Sequence, residues 1–438
     1  MRLAHFIQRY PPALGGSEAY FARLSRHCAM QGDAVTVFTS NALALDGFWS
    51  PEAECTAAGV AMEEGVEVRR YALWRMHGRR WLLKPLSLVP WPLWQCLTSP
   101  CNPIAFGMWR DAGCMPLGAF DAVHASAFPY AFPIACAWRL ARSLMVPFYV
   151  TPFLHLGDPT DPNDRTRQGY TAPHLRWLLE QADGVFVQTS TEFAAVRSLG
   201  IAEEGIHLQG LGVDPAECTG GLHGEARIRW SLPEDAFVVG HLANNSFEKG
   251  TNDLLAAFEL AAQRDPTIHL LLAGPAMPNF TRAWHEFTRR QPALALRVHR
   301  LGPLSDADKR DFFAAIDAFV LPSRSDSFGL VLLEAWANGV PNVAYRAGGV
   351  ADIIRHERDG LLAQCGDLSA LASAIERLAR DVALRESLGR SGLARIASEF
   401  RWVPKLDLVR EVIGGARKTR IEEASRTLPT LPASLRSE

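Results

Sequence analysis

The chain has 438 residues, 48% of them hydrophobic, which suffices for two or three domains with full cores, and its formal net charge is −2. So even a balance offers no basic surplus to neutralise a phosphodiester backbone and disfavours a nucleic-acid partner. The eight cysteines are scattered, with no Cys-x-x-Cys pair, and read as reduced, partly buried small apolar residues rather than zinc ligands or a disulfide framework.

The N-terminal stretch Met1 to Ile7 runs at once into Gln8-Arg9, too early for the apolar core of a signal peptide, so a cytoplasmic chain is expected. Leu3 to Ile7 reads as a strand, 8–17 as a loop holding Gly15-Gly16, and a helix is expected from about Glu18 to Gln31. A strand, glycine loop and helix bring a ligand close to unpaired helix N–H groups, although a Gly-Gly pair after Pro11-Pro12 is equally consistent with a plain turn. Val35 to Thr39 and Val66 to Tyr71 continue the strands, in the alternation expected of an open parallel sheet.

Between Trp74 and Trp109 the pattern changes: five tryptophans are interleaved with Arg75, Arg79, Arg80, Lys84 and several prolines. Lys84, Pro85, Pro90 and Pro92 break the apolar run well before the roughly 20 residues needed to span hydrocarbon. The segment is expected to pack as an irregular excursion (about 74–118) of the first domain; a basic, tryptophan-rich stretch could also rest at a membrane surface through 74–109. Strands resume at Asp121 to Ala125 and at Phe148 to Phe153, the second delivering His155 just past its carboxyl end, where the ligand crevice of such sheets lies. Gly184 to Ser190 is the last clear strand of this half.

The second half restarts with Phe237 to Leu242, the polar loop 243–250 containing Asn244, Asn245, Lys249 and Gly250, and a helix from about Asn252 to Arg264. Lys249 supplies a cation beside a helix N-terminus, a phosphate-ready arrangement, or is an ordinary solvated loop lysine. Ile268 to Gly274 and Val298 to Leu304 are further strands. Asp306-Ala307-Asp308 opens a helix where acids favour the positive dipole end, so no metal site is assigned. Neither half carries Gly-x-Gly-x-x-Gly after a strand, which argues against a nicotinamide or flavin enzyme.

Phe319 to Gly329 reads as a buried strand entering a tight polar loop, followed by the helix Leu330 to Asn338 and a stop at Gly339 and Pro341. Glu334 is a carboxylate in an otherwise apolar helix, costly if buried without a partner, and Asp326 lies eight positions earlier. A nucleotide would supply both a phosphate for the helix start and a diol for Glu334; alternatively Glu334 reaches the surface and Asp326 caps the helix.

The run Pro322-Ser323-x-x-Asp326-Ser327-Phe328-Gly329-Leu330-x-Leu332-Leu333-Glu334-Ala335, followed by Ala347-Gly348-Gly349, resembles the acidic motif of retaining glycosyltransferases of family 4. Gly15, Gly16 and Glu18 are similar to the family's Gly-Gly-x-Glu loop, His155 to its histidine on the transferred sugar, and Lys249 to its diphosphate lysine. The resemblance covers Met1 to about Val412 and implies an α/β fold of GT-B architecture: two Rossmann-like doubly wound domains facing a central cleft. It implies an acceptor-side domain over 1–213, a donor-binding domain over 214–398, a C-terminal helix over 399–415 packing back on the first domain, and a disordered tail over 416–438.

By resemblance, His155, Asp326 and Lys249 are catalytic. Gly15, Gly16, Asn245, Lys249, Gly302, Ser327, Phe328, Gly329, Leu330 and Glu334 bind the donor, a UDP or GDP sugar. No cofactor or metal is implied, and the acceptor is a glycan or lipid-linked glycan. The arginine usual shortly before the lysine is missing, its region held by Asn244 and Asn245. A nucleotide-sugar epimerase and a nucleotide-sugar binding protein without turnover are the alternatives.

Overall fold

The computed structural model describes residues 1–427, with side chains through Gly415. Two α/β layers account for most of them. The first sheet is built from β1 (Arg2–Ile7), β2 (Ala34–Ser40), β3 (Gly59–Glu63), β4 (Val66–Tyr71), β5 (Ala122–Ser126), β6 (Phe148–Thr151), β7 (Gly184–Val187) and β8 (Ile206–Leu208), in the order β3-β4-β2-β1-β5-β6-β7-β8. All neighbours are parallel except the β3–β4 hairpin. The second comprises β9 (Phe237–Leu242), β10 (Ile268–Ala273), β11 (Val298–Gly302), β12 (Ala318–Leu321), β13 (Asn342–Tyr345) and β14 (Gly360–Ala363), ordered β11-β10-β9-β12-β13-β14 and wholly parallel.

The inner strands β5, β6, β12 and β13 are buried along their whole length, because helices cover both faces of a parallel sheet; this is why they read as continuous apolar or small-residue runs instead of alternating ones. In each sheet the strand order reverses beside the first strand, between β1 and β5 and between β9 and β12, and the crevice of such a sheet opens at the carboxyl ends there.

The halves are joined by two chain crossings and by shared apolar packing. One core cluster includes Phe21 and Leu211 of the first half, Phe400 of the return segment and Trp336 of the second half. Helix Trp402–Thr427 lies on helix Gly16–Met30: His27 Nε2 meets Asp407 at 2.7 Å, and Asp33 accepts from Arg410 at 2.6 Å and from the N-terminal ammonium at 2.5 Å. This last helix runs to Thr427, past the start of the tail expected to be disordered; the rest of that tail, 428–438, lies outside the described residues.

The tryptophan-rich excursion is helical, not irregular. Arg79–Leu86, Pro92–Thr98 and Phe106–Ala112 are short helices, with Pro92 at a first helical position, where its missing N–H costs nothing, and Pro85 one residue from a helix end. No described helix is long and apolar enough to cross a membrane, and all eight cysteines are free thiols.

Candidate active site

The carboxyl ends of the two sheets face each other across a cavity of about 570 Å³. From the first half, β1 delivers Gln8 and Arg9, the loop after it Gly15 to Glu18, and the segment after β6 Phe153 and His155. From the second half, β9 delivers Ala243, Asn244 and Lys249, and β12 leads into Asp326 to Val331.

Gly15 has no room for a β-carbon, which would lie 2.1 Å from the Glu18 carboxylate. That carboxylate is buried and takes Arg9 at 2.7 Å, Gln8 at 3.1 Å and the Ser17 hydroxyl at 2.8 Å. On the facing wall Gly250 has φ 71°, and a β-carbon there would meet the Pro322 carbonyl oxygen at 1.8 Å; glycine is what lets the β9 loop lie directly on the β12 loop. Buried His241 ties the same two strands, with Nδ1–H donating to Val320 O at 2.8 Å and Nε2 accepting from the Thr251 hydroxyl at 3.0 Å. That pair of bonds fits the neutral imidazole, and burial, the largest influence, lowers the His241 pKa to about 4.

The packing of these loops puts Lys249 Nζ 2.7 Å from Asp326 Oδ2. Burial pushes Asp326 upward, but the charges of Lys249 and His155 and the bonds from Lys249 and the Phe328 N–H outweigh it, and its pKa falls below the usual carboxylate value. His155 has its pKa lowered, first by burial and then by Lys249, with Asp326 opposing. Its ring lies 5.1 Å from that of Tyr170. The turn before it is held by the buried Glu192, whose two oxygens accept the N–H groups of Leu154 and Gln188, each at 2.7 Å. Gly329, at φ 85°, starts helix Leu330–Ala337, whose first residues line the cavity.

Glu334 lies outside this space. It lines an adjoining cavity of about 500 Å³ with Tyr20, Arg23, Asp306 and Lys309, and Leu330 borders both cavities. Its Oε1 takes Lys309 Nζ at 2.5 Å, while its buried Oε2 has no partner. Burial raises its pKa more than Lys309 lowers it.

Of the expected residues, Gly15, Gly16, His155, Lys249, Asp326, Ser327, Phe328, Gly329 and Leu330 therefore converge on one cavity. Asn245 does not: its Nδ2 donates to Gly274 O at 3.0 Å and braces the ends of β9 and β10, while Asn244 lines the cavity in its place. Gly302 ends β11 and lines neither cavity, two strands away from the reversal point.

Sequence reasoning passed over Arg9, Tyr130, Tyr170 and Lys309. Arg9 partly answers the missing arginine, because a guanidinium reaches the cavity from the opposite domain, though it is spoken for by Glu18. Arg324, the other nearby arginine, bridges Asp158 of the first half and Asp253 of the second. With Gly157 N–H donating to Ser325 Oγ at 3.0 Å, it closes one edge of the cleft.

Two doubly wound sheets facing a cleft across their switch points are the GT-B architecture. Over 95% of this chain the fold superposes on Anabaena Alr3699/HepE, solved in complex with UDP (TM-score 0.69, 19% identity, all of that chain). It also superposes on sucrose-phosphate synthase from Thermosynechococcus elongatus (TM-score 0.72, 21% identity, 95% of this chain and 99% of that one). In sequence, residues 15–212 match the family described as Glycosyl transferase 4-like domain and residues 234–381 the family described as Glycosyl transferases group 1. The chain is 26% identical over 436 residues to the D-inositol 3-phosphate glycosyltransferase of Stackebrandtia nassauensis, covering 96% of this chain and 90% of that protein. It is 34% identical over 175 residues to the lipopolysaccharide core biosynthesis glycosyltransferase LpsD of Rhizobium meliloti, covering 40% and 48%. The chain belongs to glycosyltransferase family 4, the group 1 glycosyl transferases, and is a transferase enzyme.

Proposed function

We propose that this enzyme moves a sugar from a nucleoside-diphosphate sugar, with UDP or GDP as the nucleotide, to a glycan or lipid-linked glycan, with retention at the anomeric carbon and without a metal. The observation that carries the reading is the convergence of Lys249, Asp326, His155 and the first residues of helix Leu330–Ala337 on one cavity between the sheets. As the bond from the anomeric carbon to the diphosphate oxygen breaks, its electron pair stays on that oxygen. Lys249 and the amides near Phe328 and Gly329 then stabilise the charge that develops. Asp326 and His155 orient the sugar through its hydroxyls, the acceptor oxygen bonds the anomeric carbon, and a leaving phosphate oxygen takes the acceptor proton on the same face.

Glu334 holds the ribose diol from the adjoining cavity, where its free Oε2 is available to a hydroxyl. The UDP and UDP-glucose complexes of HepE support the donor class. The curated relatives, named for inositol phosphate, capsular polysaccharide and lipopolysaccharide core, support a carbohydrate or polyol acceptor. Both halves match glycosyltransferase families, and nothing favours the epimerase.

Thermal-shift titration with UDP, GDP, ADP and their sugars tests this. A ligand at a hundred times its dissociation constant adds about 2.7 kcal/mol, so a true donor is visible. The expected result is a shift with one nucleotide family that Glu334→Ala diminishes; no shift with any of them sinks the donor assignment. An inverted anomeric configuration in the product, read by NMR, would overturn retention, and a rate abolished by EDTA would overturn metal independence.

A further inference from the structure

We propose that the hairpin of helices Arg79–Leu86 and Pro92–Thr98 is a docking surface for an anionic lipid bilayer. The hairpin holds large apolar side chains outward: Trp81 is 78% exposed, Leu88 75% and Trp91 71%, with Leu82, Leu86 and Val89 beside them. A patch of this kind on a rigid support marks an interaction surface. Rigidity comes from below. Arg79 is buried and donates to the carbonyls of Trp74, Pro100 and Asn102, while Trp94 Nε1 donates to Leu86 O at 2.8 Å and Gln95 to Ser87 O at 3.2 Å, closing the hairpin on itself. The exposed residues cannot fold inward without breaking these bonds.

Charge selects the occupant. From Val68 to Arg110 the chain contains no Asp or Glu, although it carries seven Arg and Lys. Arg80 and Lys84 lie on the hairpin itself with no carboxylate partner among the described residues; Arg80 stacks at 4.7 Å over Trp49, and Lys84 Nζ lies 5.8 Å from the Trp81 ring centre. Acids enter only from the segment packed beneath, which carries Asp46, Glu52 and Glu54; of these Glu52 lies 3.6 Å from His77, both well exposed. Exposed tryptophan with lysine and arginine, on a stretch that carries no acid of its own, is the combination that seats at an anionic headgroup layer.

An apolar cavity of about 350 Å³, walled by Trp91, Leu93, Trp94, Leu97 and Trp177, opens beside the hairpin and could take an acyl segment. Trp177 sits in helix Pro173–Glu180, which begins just after Tyr170 of the catalytic cavity wall, so one short segment links the docking face to the cleft.

The test is co-sedimentation of the full chain with vesicles of phosphatidylcholine alone and of phosphatidylcholine mixed with phosphatidylglycerol. The variants are Trp81→Ser/Trp91→Ser and Arg80→Glu/Lys84→Glu, with melting temperature as the folding control. The full chain should pellet with the mixed vesicles, less so at high salt, and each double variant should lose at least about tenfold in partitioning while melting as the wild type does. Three results would overturn the proposal: a full chain that stays in the supernatant with both vesicles, variants that bind as well as the parent, or a dimer in light scattering that Trp81→Ser/Trp91→Ser converts to monomer. The last would give the face to a second copy of the chain.

Discussion

The two cavity walls begin from the same plan and end with opposite uses of charge. In each sheet a first strand carries a buried histidine, His5 in β1 and His241 in β9, and leads through a glycine-containing loop into a helix. After β1 the loop turns on itself: Arg9 is consumed by Glu18 a few residues on, and Gly15 packs against that same carboxylate. After β9 the loop leans on its neighbour: Gly250 packs against Pro322, and Lys249 reaches Asp326 of the loop following β12. A cation neutralised within its own loop shapes a wall. One shared with a loop across the switch point can be handed to a substrate.

The largest expected effect concerns the histidines that both strands bury. Burial lowers His5 to about 3, lowers His124 beside it well below the free value, and lowers His241 to about 4. The folded values lie below the unfolded value of about 6.5, so between them the unfolded chain binds protons that the folded chain refuses. Stability is therefore full above about pH 6.5 and falls as pH drops toward 4. The loss is about 1.4 kcal/mol per histidine one unit below the unfolded value, or about 4 kcal/mol for the three. Urea midpoints measured across that range check this; a flat profile would show that these histidines protonate within the fold.

The contrast between the loops predicts unlike variants. Lys249→Ala should lower turnover about 10²- to 10³-fold, a loss of about 3 to 4 kcal/mol of transition-state stabilisation, with little change in melting temperature because the pair it leaves is partly exposed. Arg9→Ala should do the reverse: it strands the buried Glu18 and should cost about 3 kcal/mol in urea unfolding. If both variants lose activity without losing stability, Arg9 serves the substrate as well and the contrast collapses. Smaller still, Glu334→Ala should weaken UDP or GDP binding by about 1 to 3 kcal/mol in calorimetry, and unchanged affinity would remove Glu334 from the site.

Most of the sheet strands were legible because they are buried on both faces. Phe237 to Leu242 falls where the apolar pattern puts it. The strand at Gly59–Glu63 was missed: it is exposed almost throughout and pairs only at an edge, so no burial pattern marks it. The excursion was misjudged as irregular because prolines suggest broken backbone, whereas Pro92 occupies a first turn and Pro85 a last one. In the site, the local motif around Asp326 was readable, since strand, loop and helix are contiguous there. Asn245 and Asn244 are adjacent and chemically alike, and which one faces the cavity depends on the β10 end that Asn245 braces.

By itself, the sequence determined the alternation of strands and helices in two halves, the glycines that let loops approach one another, and the identity of the groups at the strand ends, because short-range periodicity and turn chemistry are properties of neighbouring residues; the doubly wound order was implied only by the family resemblance. Only the tertiary structure decided their partners: that Lys249 meets Asp326 and Lys309 meets Glu334, that Arg9 arrives from the opposite domain, and that Glu334 opens on a separate cavity. These are contacts between groups far apart along the chain, set by the packing of helices on sheets and of one sheet's carboxyl ends against the other's, and a linear pattern carries no record of them.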